Sequence, residues 1–284
     1  IETVVKDSPV LQILPFMELV GNSLKYNREL ALPSADFYAV GDIWTESTPT
    51  FTPMTASLAI MGGDADVDHY LQQTRANIND IQQEVIALKA KALRHKFEDT
   101  FLYGDTAVDA KAFDGIRKLI DPATASDQVI ACGASGATLT LSMLDQLIDA
   151  IRGGKPHLLL MSRRSRRKIK ALMLAAGIVE QTQDQFGNTV IAYNGIPVGV
   201  TDWQLDTHTV SSSVETSTTG AACSAIYAFQ MGEDGICGLH NGGIQAEVLG
   251  AVSNKNAIRT RLRWYNSIAD FCVVKRAVLI GVKD

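Results

Sequence analysis

The side chains that could carry chemistry are present in this chain, but not at spacings that any common site needs. The five histidines, His69, His95, His157, His208 and His240, form no HxxxH or HExxH pair and none lies near a cysteine in sequence, whereas zinc-type sites are built from such groupings. The four cysteines, Cys132, Cys223, Cys237 and Cys272, are far apart with no CxxC motif, a pattern that reads as free thiols in a reducing compartment. Gly133-Ala134-Ser135-Gly136 comes closest to a nucleophile elbow but lacks the Gly-x-Ser-x-Gly spacing. Gly153-Gly154-Lys155 has neither the upstream glycine nor the Ser/Thr of a phosphate loop. No spacing pairs two carboxylates, and a triad assembled in space is invisible to spacing. The expectation is a non-enzymatic chain without metal or cofactor.

Charge is more organised than catalytic chemistry. Arg163, Arg164, Arg166, Arg167, Lys168 and Lys170 crowd the start of a predicted helix, where the macrodipole is already positive and each cation costs a few tenths of a kcal/mol. Two readings stand: a solvated helix face, or contact with an anionic partner, either acidic groups of a neighbouring subunit or phosphate. A second row, Arg259, Arg261 and Arg263, alternates with Ile258, Thr260, Leu262 and Trp264, so a strand there packs one face and presents guanidinium groups on the other. Against these stand Asp36, Asp42, Glu46, Asp64 and Asp66, because residues 34–66 contain no Lys or Arg at all.

The elements that must hold these charges follow from periodicity. At 284 residues, with 46% hydrophobic and 20% charged residues, the chain has the length of one large domain or two connected ones and is too apolar for disorder. No apolar run reaches the ~18 residues of a membrane-spanning helix. A net charge of −5 argues against a surface that grips nucleic acid throughout. Residues 1–33 read as an arm without sustained period. Phe37–Trp44 and Met54–Met61 read as β-strands flanking a Thr/Ser/Pro tip, a ribbon with little of its own to pack against. From about Val67 to about Phe101 the period is helical, with Leu71, Ile78, Val85 and Ala92 seven residues apart and Thr74, Ile81 and Leu88 on the same face, predicting a spine of about 50 Å. An α/β stretch follows. It comprises a helix around Leu141–Ile151 capped by Ser142, a buried strand at His157–Met161, a helix from Arg163 to Ala176, and a hairpin turning at Asn194-Gly195, with Pro197 placing its second strand at an edge or bulge. Residues 206–220 read as a Ser/Thr-rich loop. The last 45 or so residues are strands: Ile244–Val252, Ala257–Tyr265 and Phe271–Val282. Arm, acidic ribbon and spine expose surface that one copy has difficulty hiding, and together they ask for neighbouring copies.

This order of parts, over nearly the whole chain, resembles the major capsid proteins of tailed bacteriophages, the Hong Kong 97-type fold. The most specific local match is Phe101-Leu102-Tyr103-Gly104-Asp105 followed by Phe113-Asp114-Gly115-Ile116, which looks like that family's Gly-Asp then Phe-Asp-Gly-aliphatic segment; Arg261-Leu262-Arg263-Trp264-Tyr265 is similar to its C-terminal portion. The resemblance implies an α+β fold. Its parts would be an N-terminal arm (1–33), an extended β-hairpin loop (34–66), a peripheral domain with a long spine helix (67–135 and 241–284) and an axial α/β domain (136–240). It implies a virion protein that self-assembles into hexamers and pentamers, forming an icosahedral shell around double-stranded DNA with weak local contact to it. Portal, scaffolding, maturation protease and cement proteins would be its partners, and no membrane. Proteolytic loss of a scaffolding segment would account for Ile1 in place of an initiating Met. Some members cross-link through a loop lysine, and residues 31–66 here hold none, so that chemistry is not expected.

Three rivals share parts of this reading. An encapsulin-like nanocompartment shell would have the same fold around cargo enzymes, a soluble α/β enzyme would build its site from distant residues, and a nucleic-acid-binding protein would use the basic helix.

Overall fold

The computed structural model describes residues 8–31, 33–75, 81–120, 126–178, 180–183, 187–211, 214–217 and 222–283. Helix α1 (Pro9–Ile13) and strand β1 (Phe16–Glu18) precede the ribbon strands β2 (Ser23–Ala31) and β3 (Thr50–Ser57). Strand β4 (Ala59–Asp68) runs directly into α2 (His69–Arg75), and α3 (Ile81–Tyr103) and the one-turn α4 (Ile116–Leu119) follow. The α/β run comprises β5 (Val129–Ala131), β6 (Ala137–Thr138), α5 (Leu141–Asp149), β7 (Leu158–Met161), α6 (Arg163–Ala175), β8 (Gln181–Gln183), β9 (Thr189–Tyr193) and β10 (Ile196–Val200). Then come β11 (Thr209–Ser211), β12 (Val214–Ser217), β13 (Ser224–Phe229), β14 (Ile236–Ala251), β15 (Ala257–Asp270) and β16 (Arg276–Lys283).

Two sheets carry the body. The larger has the order β5-β16-β13-β7-β10-β9-β8, with β6 also on β16, and the smaller β1-β14-β15-β4. Alternation along the central strands assigns the two faces of the large sheet. Leu159, Met161, Ile226, Ala228 and Leu279 face the helices α5 and α6 through Leu144, Leu147, Ile169 and Met173. Leu158, Leu160, Tyr227, Val278 and Ile280 face the other way, onto Phe97 and Phe101 of α3, Val10 and Leu14 of the arm, and Trp264 and Ile268 of the small sheet. Phe97 is the centre of this second core, with ring centroids 4.9 Å from Trp264, 5.9 Å from Phe113 and 6.1 Å from Phe16.

Several expectations are corrected here. The described part of the arm does not wait for a neighbour: Ser8 caps α1, its Oγ 3.2 Å from the Leu11 amide, Val10, Leu11 and Leu14 are buried, and β1 adds a parallel strand to β14. Residues 1–7 lie outside the described residues. Phe37–Trp44 is not a strand; Ser23–Ala31 pairs with Thr50–Ser57 instead, from Ser23↔Ser57 outward, because the apolar positions that find a partner are Leu24 and Tyr26 over the small sheet. Val67 belongs to β4 rather than to the spine, and α3 with its 23 residues is about 34 Å long. The heptad face is not the packed face: Leu71 and Leu88 are exposed while Leu93, Phe97, Phe101 and Leu102 are buried, since only the C-terminal half of α3 lies on the body; Ile78 lies outside the described residues. Thr140, not Ser142, caps α5. The segment expected to be loop contains the β11–β12 pair, with 212–213 and 218–221 outside the described residues. Asn194 and Gly195 have φ of 52° and 77°, the type I′ hairpin expected. Pro197 nevertheless sits inside the sheet. It faces Ala192 in the non-hydrogen-bonded register, and pairing with β7 begins only at Val198, so no ladder bond is lost. β14 begins at Ile236, eight residues before the predicted start at Ile244, and stays continuous through a register shift between Asn241 and Ile244, where Gly242 and Gly243 have φ of 70° and 66°. Finally β16 lies between β5 and β13, so the last strand belongs to the sheet of the α/β run and not to that of the long hairpin.

Candidate assembly surface

The acidic and basic residues picked out in sequence divide into those the chain satisfies itself and those it leaves outward. In register, Arg259 faces Asp66 and Arg261 faces Asp64 across β15 and β4. Both guanidinium groups donate bidentately, Arg261 to Asp64 at 2.7 and 2.8 Å and Arg259 to Asp66 at 2.7 and 2.8 Å. The Arg261 hydrogen bond holds the Asp64 carboxyl below its usual range, and Arg259 does the same for Asp66. Arg263 turns to β14, with Gln245 Oε1 at 2.9 Å and Glu247 Oε2 at 3.3 Å. Asp64 and Asp66, expected to be intersubunit, and Arg259, Arg261 and Arg263, expected to be intersubunit or DNA-facing, pair within one chain as cross-strand neighbours.

Asp36, Asp42 and Glu46 lie on the loop between β2 and β3, residues 33–49, all exposed. The loop shapes itself locally. Asp42 Oδ2 accepts the Ala39 amide at 2.6 Å, Ser47 Oγ accepts the Ser34 amide at 2.9 Å, and Tyr38 stacks on Trp44 at 4.7 Å and 11°. None of the three carboxylates meets a cation among the described residues. Beside them Phe37, Val40, Ile43 and Trp44 stand exposed, an apolar and acidic tip with no body beneath it.

The cations of α6 split similarly. Ser162 caps the helix. Arg163 forks onto Asp202, with Nη2 2.7 Å from Oδ2, and Arg164 donates to the Ala222 carbonyl at 2.7 Å and Ser224 Oγ at 2.8 Å, 3.8 Å from Asp206. Carboxylates about 40 residues downstream thus offset the first-turn repulsion. Arg166, Arg167 and Lys170 are exposed and Lys168 half-buried, with no carboxylate partner among the described residues.

The Gly104-Asp105 and Phe113-Asp114-Gly115 motif is a packing device. The Gly115 amide donates to the Gly104 carbonyl at 2.8 Å. A Cβ on Gly115 would stand 2.6 Å from the Gly104 nitrogen, and one on Gly104 would strike the Phe113 carbonyl oxygen, so both positions need glycine for close backbone approach. Asp105 and Asp114 accept the Ala107 and Thr106 amides and share Lys118, at 2.6 and 2.8 Å.

Sequence reasoning missed one buried charge cluster. Asp270 and Arg276 are 1% and 2% exposed and in direct ionic contact; Arg28 of β2 reaches the same carboxylate oxygen at 2.6 Å. Burial, followed by the like charge of Arg28, pulls the Arg276 guanidinium down to about 9. The available signal was Arg276 itself, a cation opening the otherwise apolar run Ala277–Val282, since a buried charge requires a partner.

The sequence profile of the SU10 major capsid protein family matches residues 41–213, and no curated protein matches the chain in sequence. Among solved structures, the holo-SrpI encapsulin complex of Synechococcus elongatus PCC 7942 superposes with a TM-score of 0.73 at 15% identity, covering 98% of this chain and 89% of that one. The capsid of a native GTA particle gives 0.69 at 12% identity, over 99% and 91%, and Mycobacterium phage Bobi 0.68 at 14%, over 98% and 91%. These likenesses carry the α+β Hong Kong 97-type fold, and the profile, spanning more than half the chain, carries the family. A fold shared with viral shells, a tip with no body of its own beneath it, and this match together place the chain in the SU10 major capsid protein family, as a structural protein whose copies build the capsid of a virion.

Proposed function

We propose that copies of this chain form hexamers and pentamers that close an icosahedral tailed-phage head around double-stranded DNA, with the β2–β3 ribbon of each copy laid over its neighbour. The observation that carries this is the tip: Phe37, Val40, Ile43 and Trp44 are exposed in the single chain, and apolar contact supplies most of the affinity of a subunit interface. Asp36, Asp42 and Glu46 set the register by meeting Arg166, Arg167 and Lys170 of the next copy, exposed charges on each side that have no ion-pair partner among the described residues. The sheet of the α/β run, β16 included, faces the ring axis with its helices α5 and α6, while α3 and the strands β4, β14 and β15 lie at the periphery. Contact with DNA is weak and local, as the net charge of −5 favours. Portal, scaffold, maturation protease and cement proteins complete the particle.

Purified protein examined by light scattering and electron microscopy tests this. Shells with nuclease-protected duplex DNA are expected from phage-infected cells. Shells lacking DNA and a portal vertex favour the cargo compartment, the reading to which the SrpI likeness lends weight, and a monodisperse 30 to 60 kDa particle, on the order of one or two copies of the chain, overturns both. Arg166→Glu/Arg167→Glu/Lys170→Glu subunits should fold normally yet assemble poorly, and normal assembly would remove the charge pairing from the scheme.

A further inference from the structure

We propose that Arg28 is a positioning residue that sets the angle at which the β2–β3 ribbon leaves the body, by tying it to the buried Asp270–Arg276 pair, and so fixes the curvature of the shell. This rests on the reading that the ribbon engages a neighbour. Tyr26 and Arg28, two residues apart on one face of β2, both fasten to Asp270. The Tyr26 hydroxyl donates to its carbonyl at 2.9 Å, and Arg28 Nη2 reaches the carbonyl at 2.5 Å and the carboxylate at 2.6 Å. The anchor is itself held from the body, because Arg276 Nη2 donates to the Leu119 carbonyl at 2.6 Å. Leu24, Tyr26, Ala56 and Leu58 pack the ribbon root over Leu19, Leu239 and Ala269, and Tyr26 meets Phe271 edge-on at 4.9 Å. Beyond Arg28 the ladder shifts register between Glu29 and Ala31, and no described residue outboard of it hydrogen-bonds to the body.

The charge count separates anchoring the ribbon from holding the core together. Asp270 and Arg276 are neutral as a pair, so Arg28, 17% exposed, can be removed without leaving an uncompensated buried charge. Removing Asp270 instead strands two guanidinium groups. Asp270 Oδ1 and the Nε atoms of both arginines have no hydrogen-bond partner among the described residues, so the contact works through its two shared oxygens and not through a saturated network.

The test compares the wild-type chain with Arg28→Met, unassembled and assembled. Hydrogen exchange followed by mass spectrometry on free subunits should be at least tenfold faster in peptides covering 23–31 and 50–57 and unchanged in α5 and β7. Assembled Arg28→Met particles should spread over several diameters by electron microscopy, Arg28→Lys should restore part of the protection, and Asp270→Asn should accelerate exchange throughout the body. Ribbon exchange at the wild-type rate, faster exchange with particles of one wild-type diameter, or body exchange accelerated in Arg28→Met would each overturn the proposal. Because exchange is read on free subunits, the result stands apart from whether the tip binds a neighbour, which the tip variant below decides.

Discussion

Replacing Phe37, Val40 and Ile43 with serine should separate assembly from folding. In the single chain these side chains are 107%, 107% and 93% exposed, so the subunit loses no buried area and its stability should change by no more than about 0.5 kcal/mol. Trp44 is retained because its stacking on Tyr38 shapes the loop. If all three become buried against a neighbour, each contributes about 1.5–3 kcal/mol. Halving the sum for incomplete burial and the ordering of the loop leaves about 2–4 kcal/mol per ribbon. In the proposed arrangement, where each copy gives one ribbon and receives one, the loss falls once per subunit, and at about 1.4 kcal/mol per factor of ten the assembly threshold should rise by roughly 30- to 1,000-fold. Sedimentation velocity over a concentration series reads the threshold, and thermal melting of free subunits reads the fold. Assembly at a concentration within about threefold of wild type would refute the reasoning, and so would a free-subunit Tm lowered by more than about 4 °C, which at this chain length means on the order of 1 kcal/mol of lost stability.

Other consequences concern the body. Phe97→Ala, at a fully buried ring shared by α3, the arm and the small sheet, should cost about 3–5 kcal/mol, seen as a lower urea midpoint at unchanged slope. Gly115→Ala should cost about 1–3 kcal/mol or more, because the new methyl meets backbone atoms at 2.6 Å that cannot rotate away; an unchanged melt would show that the motif relaxes. Asp64 and Asp66 have depressed pKa values in the folded chain, so the stability they add is present above the ordinary carboxylate value of 3.8 and is lost as pH falls through the lower, folded value. Melting temperatures of wild type and Arg259→Met/Arg261→Met should therefore differ at pH 6 and draw together as pH falls below the ordinary carboxylate value; a gap that widens in acid would contradict the pairing.

The elements legible in sequence were those whose signals are local. Asn194-Gly195 dictates its own turn through φ, Leu158–Met161 is apolar on both faces and so lies inside a covered sheet, and Gly177, with φ of 72°, ends α6. The alternation of arginines along β15 was also readable, as was the acidity of the β4 region. Their mutual pairing was not, because it depends on a register set by residues almost 200 positions apart. The arm was misjudged for the same reason. Val10, Leu11 and Leu14 show no period because their hydrophobic partners come from α3 and the large sheet, and not from the arm's own repeat.

Composition and periodicity were sufficient to determine a non-periodic arm, an acidic stretch, a helix and an α/β unit, and their order with the glycine-bounded motif after the spine carried the resemblance to the tailed-phage capsid proteins. Tertiary structure decided which charges pair within the chain and which stay exposed, where the ribbon begins, and that Arg28, Asp270 and Arg276 meet at its root. The physical reason is that pattern records how a residue relates to its near neighbours along the chain, through periods of 2 and 3.6. Charge neutralisation and burial depend on separation in space, which only the folded register of distant strands fixes.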